Sequence, residues 1–145
     1  MNAKLSPLNE LNGIIPSLHT PFKNNKSIDY KSLEKLVLHT IDMNCAGMLL
    51  SAVAGETQNL TFNEKAEMME FVLDISRNII PIIFGCSSQK IEEIYSLVDL
   101  ARQKKIKWVL IQAPLNLDES NLIAFYKKIN EIGPSHLMIQ DLSCL

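Results

Sequence analysis

The chain has 145 residues, enough for one domain with its own core, and its 47% hydrophobic and 21% charged content exclude a disordered polypeptide. A formal charge of −2 offers no basic patch, so neither nucleic acid nor an anionic membrane is an expected partner. The opening stretch MNAKLSPLNELNG lacks the apolar core of a signal peptide, and no run approaches the roughly 18 apolar residues of a membrane span, which predicts a cytoplasmic protein.

After an N-terminal tail, residues 1–12, short apolar runs suited to buried strands begin at Ile14 (IIPSL), Met48 (MLLSA), Ile79 (IIPIIF), Trp108 (WVLIQ) and Leu137 (LMIQ). The offsets between them are 34, 31, 29 and 29 residues. Helical periodicity fills the gaps: Leu33, Leu36, Val37, Thr40, Ile41; then Ala66, Met69, Val72, Leu73; then Ile91, Ile94, Leu97, Val98, Ala101; then Leu122, Phe125, Tyr126, Ile129, Ile132. Thr61-Phe62-Asn63-Glu64 has the form of a capping box, and Asp29, Ser88 and Asp118 are candidate caps for the other three helices.

Strand and helix alternating every 30 residues or so predict an α/β protein with a parallel sheet. Two architectures fit. A five-stranded, flavodoxin-like open sheet suits the length, whereas a (β/α)8 barrel takes about 250 residues, of which this chain would cover fewer than five units. Against the open sheet, the first run is followed by HTPFKNNKSIDY, which is not a glycine-rich phosphate turn.

Cys45, Cys86 and Cys144 are widely spaced with no CxxC pair, and His19, His39 and His136 form no ligand set, so neither a disulfide framework nor a metal is expected, and no cofactor either. In a parallel α/β fold the ligand face lies at the carboxyl ends of the strands. This places His19-Thr20-Pro21-Phe22, Val53-Ala54-Gly55-Glu56, Gly85-Cys86-Ser87-Ser88, Ala113-Pro114-Leu115-Asn116 and Asp141-Leu142-Ser143 on one side. On that side Gly55 is expected to permit a tight or left-handed turn, and Glu56 to bond a neighbouring amide or act as an acid or base. A Cys86 nucleophile with His19 as base lacks a third group.

The order GIIPSLHTPF, a Gly55-Glu56 corner followed by LTFNEK, then IIPIIFGCSS, then Ala113-Pro114 resembles the dihydrodipicolinate synthase and N-acetylneuraminate lyase family from Gly13 onward. The resemblance implies that residues 13–145 are the N-terminal part of a (β/α)8 TIM barrel, strands 1 to 5 in about four to five βα units. It also implies a homo-oligomer, a tetramer in the complete family, and class I lyase or aldolase chemistry. In that chemistry a lysine forms a Schiff base with a small keto acid such as pyruvate.

Carried over residue by residue, the family's carboxylate-binding Gly-Thr-Thr-Gly-Glu or Gly-Ser-Thr-Gly-Glu turn reads Ala52-Val53-Ala54-Gly55-Glu56, with both hydroxyls gone. The backbone N–H groups of Val53 and Ala54 remain able to cradle a carboxylate. The position of the family's proton-relay tyrosine falls on Asn116, and Asp141 is placed to position a substrate hydroxyl or amine. These departures resemble a divergent, tyrosine-less branch. The Schiff-base lysine belongs at the end of the sixth barrel strand, and no substitute is expected, because Lys107 begins a strand on the opposite face and the other lysines lie in helices, loops or the tail. The alternative is a non-catalytic binding or assembly module that pairs with another chain to cover its strand edges.

Overall fold

The computed structural model describes residues 11–114 and 117–141. Helix α1 (Tyr30–Asp42) precedes strand β1 (Met48–Leu50), after which β2 (Ile82–Gly85), β3 (Trp108–Ile111) and β4 (His136–Ile139) alternate with α2 (Phe62–Ser76), α3 (Ile91–Gln103) and α4 (Glu119–Ile132). All pairings are parallel and the strand order is β1-β2-β3-β4. A doubly wound sheet reverses its strand order at a switch point. This one never reverses, which excludes the flavodoxin-like alternative and leaves the wall of a barrel.

The two sides of the sheet are unlike. Met48, Leu50, Ile82, Phe84, Val109 and Ile111 face the helices and join Leu33, Val37, Met68, Met69, Val72, Ile94, Leu97, Phe125 and Ile129 in the main core. Each large aliphatic or aromatic side chain fully buried there contributes about 1.5–3 kcal/mol. The other side carries a smaller cluster, Ile83, Trp108 and Leu110, with Leu11, Ile15, Leu49 and Met138 against it. On that side the indole of Trp108 lies 4.4 Å from the imidazole of His136. Among the described residues no helix is long and apolar enough to cross a membrane.

The apolar run at Ile14 does not become a strand of the sheet. It runs alongside β1 through one parallel bridge, Ser17 with Leu49, in which the Leu49 N–H donates to the Pro16 carbonyl and the Leu18 N–H to the Leu49 carbonyl. Pro16 has no N–H to donate, which limits the ladder at that point. The run at Ile79 becomes a strand only from Ile82, after Pro81; Ile79 itself is exposed.

Three of the four expected caps form. The Asp29 and Asp118 carboxylates accept from the Ser32 and Asn121 amides, and Thr61 with Glu64 makes the reciprocal capping box. Ser88 does not cap α3. The cap residue is Lys90, and the Ser88 hydroxyl accepts from the Lys90 N–H and donates to Glu93.

Gly85 ends β2 where the Ser51 carbonyl crosses it; a Cβ there would lie 2.1 Å from that oxygen. The replacement Thr61→Ala is expected to cost about 1 kcal/mol through loss of the cap. Gly85→Ala is expected to cost more, since backbone must move, and denaturant unfolding of the two variants beside the parent checks the order.

Candidate functional site

Strand β1 leaves the sheet through Ser51, whose backbone is left-handed at φ 53°. Next come two 3-10 turns, Val53–Gly55 and Thr57–Asn59, joined at Glu56, which is also left-handed at φ 54° and ψ 38°. The corner is tied at three points. The Thr20 hydroxyl donates to the Gly55 carbonyl at 2.7 Å, the Ser51 and Thr57 hydroxyls lie 3.0 Å apart, and the Glu56 carboxylate accepts from the Asn59 amide at 2.9 Å.

Gly55 lies in the tight first turn, one of the two conformations expected for it, and the left-handed residues are Ser51 and Glu56. Gly55 is buried, and a Cβ there would sit 3.0 Å from the Leu18 carbonyl, so the glycine serves close approach. In the first turn the Gly55 and Glu56 N–H groups donate to the Ala52 and Val53 carbonyls at 2.9 and 3.0 Å. Val53 and Ala54 precede them, so their own amides receive no carbonyl from within the turn.

Behind the corner lies a cavity of about 280 Å³ whose lining includes Val53, Thr57, Lys65, Ser87, Gln112 and Pro114. Lys65 was not singled out from the sequence. It sits on the first turns of α2 and is only 3% exposed, with its ammonium donating to the Ser87 carbonyl at 2.9 Å. Burial lowers its pKa from the ordinary lysine value, while the charge of Glu93 pulls the other way. The Ser87 hydroxyl in turn accepts from the Gln112 N–H at 2.9 Å. Helical spacing was the available signal: Lys65, Met68, Met69, Val72 and Ser76 form the buried stripe of α2, with Lys65 in line.

The other candidates are more dispersed. Ala54 and Glu56 are exposed and are not among the residues lining this cavity. Asp141 follows β4 on the same carboxyl-end side, three strand spacings from β1, or roughly 14 Å; its charge helps to raise the pKa of Tyr126 after the larger effect of burial. Asn116 lies outside the described residues. Lys107 falls as expected on the opposite side, lining a cavity with Pro81, Ile106 and Trp108 at the strands' amino ends. His136, expected just before its strand, is the first residue of β4.

Cys86 is fully buried, and burial pushes its thiol well above the ordinary range, so it stays protonated at neutral pH. That removes the nucleophile reading. Among the described residues no three acidic, histidine or cysteine side chains converge on a possible metal position.

Comparison with known proteins decides the lineage. The model of the dihydrodipicolinate synthetase family matches residues 10–141. The chain belongs to that family. The 4-hydroxy-tetrahydrodipicolinate synthase of Karelsulcia muelleri is 33% identical over 137 residues, an alignment covering 93% of this chain and 46% of the relative. The Lactobacillus acidophilus enzyme of the same name is 30% identical, with 89% and 42% covered. The chain thus spans less than half the length of these relatives. Among solved structures, N-acetylneuraminate lyase from Mycoplasma synoviae superposes with a TM-score of 0.86 at 22% identity, covering 93% of this chain and 48% of that one. Dihydrodipicolinate synthase from Bacillus anthracis gives 0.79 at 26%, with 88% and 44% covered. Family membership and the barrel wall read from the sequence are both upheld.

Two outcomes follow from this geometry. In native protein a thiol reagent at pH 8 is expected to label partly exposed Cys45 and leave Cys86 untouched until the chain unfolds, as peptide mapping will report. Thr20→Val strips the Gly55 carbonyl of its buried partner and is expected to cost about 1–3 kcal/mol in denaturant unfolding.

Proposed function

We propose that this chain forms the carboxylate-binding half of a class I lyase or aldolase barrel that acts on a small 2-oxo acid of the pyruvate class. Family membership and the corner at Val53–Glu56 support this reading together. Of the two, the corner carries it: the Val53 and Ala54 amides start a turn that gives them no carbonyl, and Val53 borders the cavity. A carboxylate bound there would take up main-chain donors and would need neither of the missing hydroxyls. Gly55 and Glu56 hold the shape of the turn, and Asp141 contacts the far end of a longer substrate.

The family's Schiff-base lysine has its place on a sixth strand, beyond the strands described here. Such a lysine adds to the keto carbon, and the resulting imine serves as an electron sink for carbon–carbon bond formation or cleavage. Completion of the barrel is therefore part of the proposal. The free edge of β4 supports it, for Ile139 is 56% exposed there while the residues of β2 and β3 are buried. Further strands of a longer polypeptide, or of a second chain, would cover that edge, and homo-oligomers of the completed barrel follow the family.

Pyruvate titrated into isotope-labelled protein is expected to shift the amide resonances of Val53, Ala54 and Gly55, while uncharged pyruvamide does not. No shift at these amides, or equal shifts with both compounds, overturns carboxylate binding by the corner.

A further inference from the structure

The cavity at the amino ends of β2 and β3, at the opposite end of the strands from the Val53–Glu56 corner, has a volume of about 330 Å³. Leu73, Ile80, Ile82, Ile106 and Trp108 give it apolar walls, Asn78 adds an amide, and the charged side chains that line it are Lys105 and Lys107. Among the described residues no carboxylate lines it, whereas the cavity behind the corner mixes Lys65 and Lys90 with Glu93.

Lys105 is a cation that the local fold does not use. Its neighbour Lys104 is paired with Glu70 at 2.6 Å, while Lys105 has no ion pair among the described residues. Nor does α3 need its ammonium as a cap. The carbonyls of Leu100, Ala101 and Arg102 take the main-chain N–H groups of Lys104, Ile106 and Lys105, and Arg102 already sets a cation against the helix dipole. The backbone of Lys105 is left-handed at φ 62°, directly after the cap, where glycine is the residue free of strain. The main chain thus gains nothing from a lysine in that place, and the side chain borders the cavity.

Trp108 is 7% exposed and lines the same cavity, and its indole N–H is buried with no hydrogen-bond partner among the described residues. Buried donors are rarely left so.

We infer that this cavity binds a small organic anion, a monocarboxylate with an aromatic or branched aliphatic body, whose charge is met by Lys105 and whose oxygens supply an acceptor to the Trp108 indole. The site goes beyond the proposed function, for it lies away from the corner and requires neither a 2-oxo group nor a covalent step. Each part of the ligand follows from the lining. Apolar walls disfavour a sugar or a free amino acid, whose several polar groups would lose water without gaining partners. Cations without a carboxylate disfavour an amine. Because α2 and α3 end here, their carbonyl ends oppose a doubly charged phosphate more than a single carboxylate. The volume is near the lower limit for small-molecule pockets, which suits one ring and a short arm.

Trp108 is the chain's single tryptophan, so its fluorescence reports on this cavity. The intact chain is titrated at neutral pH with phenylacetate and with its neutral isostere phenylacetamide, beside Lys105→Gln and Lys105→Gly. Phenylacetate is expected to change the emission saturably, and to bind both variants about fivefold more weakly, as for loss of one exposed charge pair. Phenylacetamide is expected to show no difference between parent and variants. Lys105→Gly removes the left-handed strain and is expected to melt no lower than the parent, so weaker binding in it is not unfolding. No saturable change with phenylacetate, equal affinity for the amide, or unchanged affinity in a cooperatively melting Lys105→Gly overturns the inference. The amide resonances of Val53, Ala54 and Gly55 are expected to stay still under phenylacetate. If they move while Trp108 is silent, this inference falls and carboxylate binding at the corner stands; if Trp108 responds to phenylacetate and the corner ignores pyruvate, the reverse holds.

Discussion

The backbone of Ser51, held left-handed where β1 leaves the sheet, is the constraint on which the candidate site depends. A non-glycine residue in that region carries strain of order 1–3 kcal/mol and persists only where its surroundings fix it. Three features do so here. Gly85 on the adjacent strand leaves room for the Ser51 carbonyl, the Ser51 hydroxyl is paired with Thr57, and Thr20 from the preceding loop grips the Gly55 carbonyl. Remove any of them and the corner loses its reason to project over the cavity. Since α2 begins directly after the corner, the position of Lys65 is inherited from the same turn.

Much of this architecture could be read from the residues themselves. The 30-residue spacing, the capping box at Thr61 and the caps at Asp29 and Asp118 all depend on chemistry local to a few neighbours, and each was legible. What escaped had two causes, prolines inside the apolar runs and partners distant in sequence. Pro16 turned an apolar run into an escort of β1, and Pro81 delayed the next strand to Ile82. The left-handed residues proved to be Ser51 and Glu56, while Gly55 stands against the Leu18 carbonyl, 37 positions away. Lys65, not singled out in the sequence, is held by the Ser87 carbonyl 22 positions away.

The sheet's two sides divide the labour of the fold. Its helix-facing side holds the large core, and its inner side carries a layer of Ile83, Trp108 and Leu110 against Leu11 and Ile15. A barrel interior is filled in such layers by alternate strands, so each added strand thickens a layer already begun. The strand order runs without reversal, and the chain matches less than half the length of its curated relatives.

The parallel order of the strands has an electrostatic corollary. Because each of α2, α3 and α4 runs back antiparallel to the strand before it, their amino-terminal ends gather along a single rim, and the partial positive charges of those ends add. The field above that rim arises from the direction of the chain and owes nothing to the overall charge of −2. The chain places its own carboxylates on that rim, Glu64, Glu92, Glu93, Asp118 and Glu119, so those positive ends are met first by side chains of this protein.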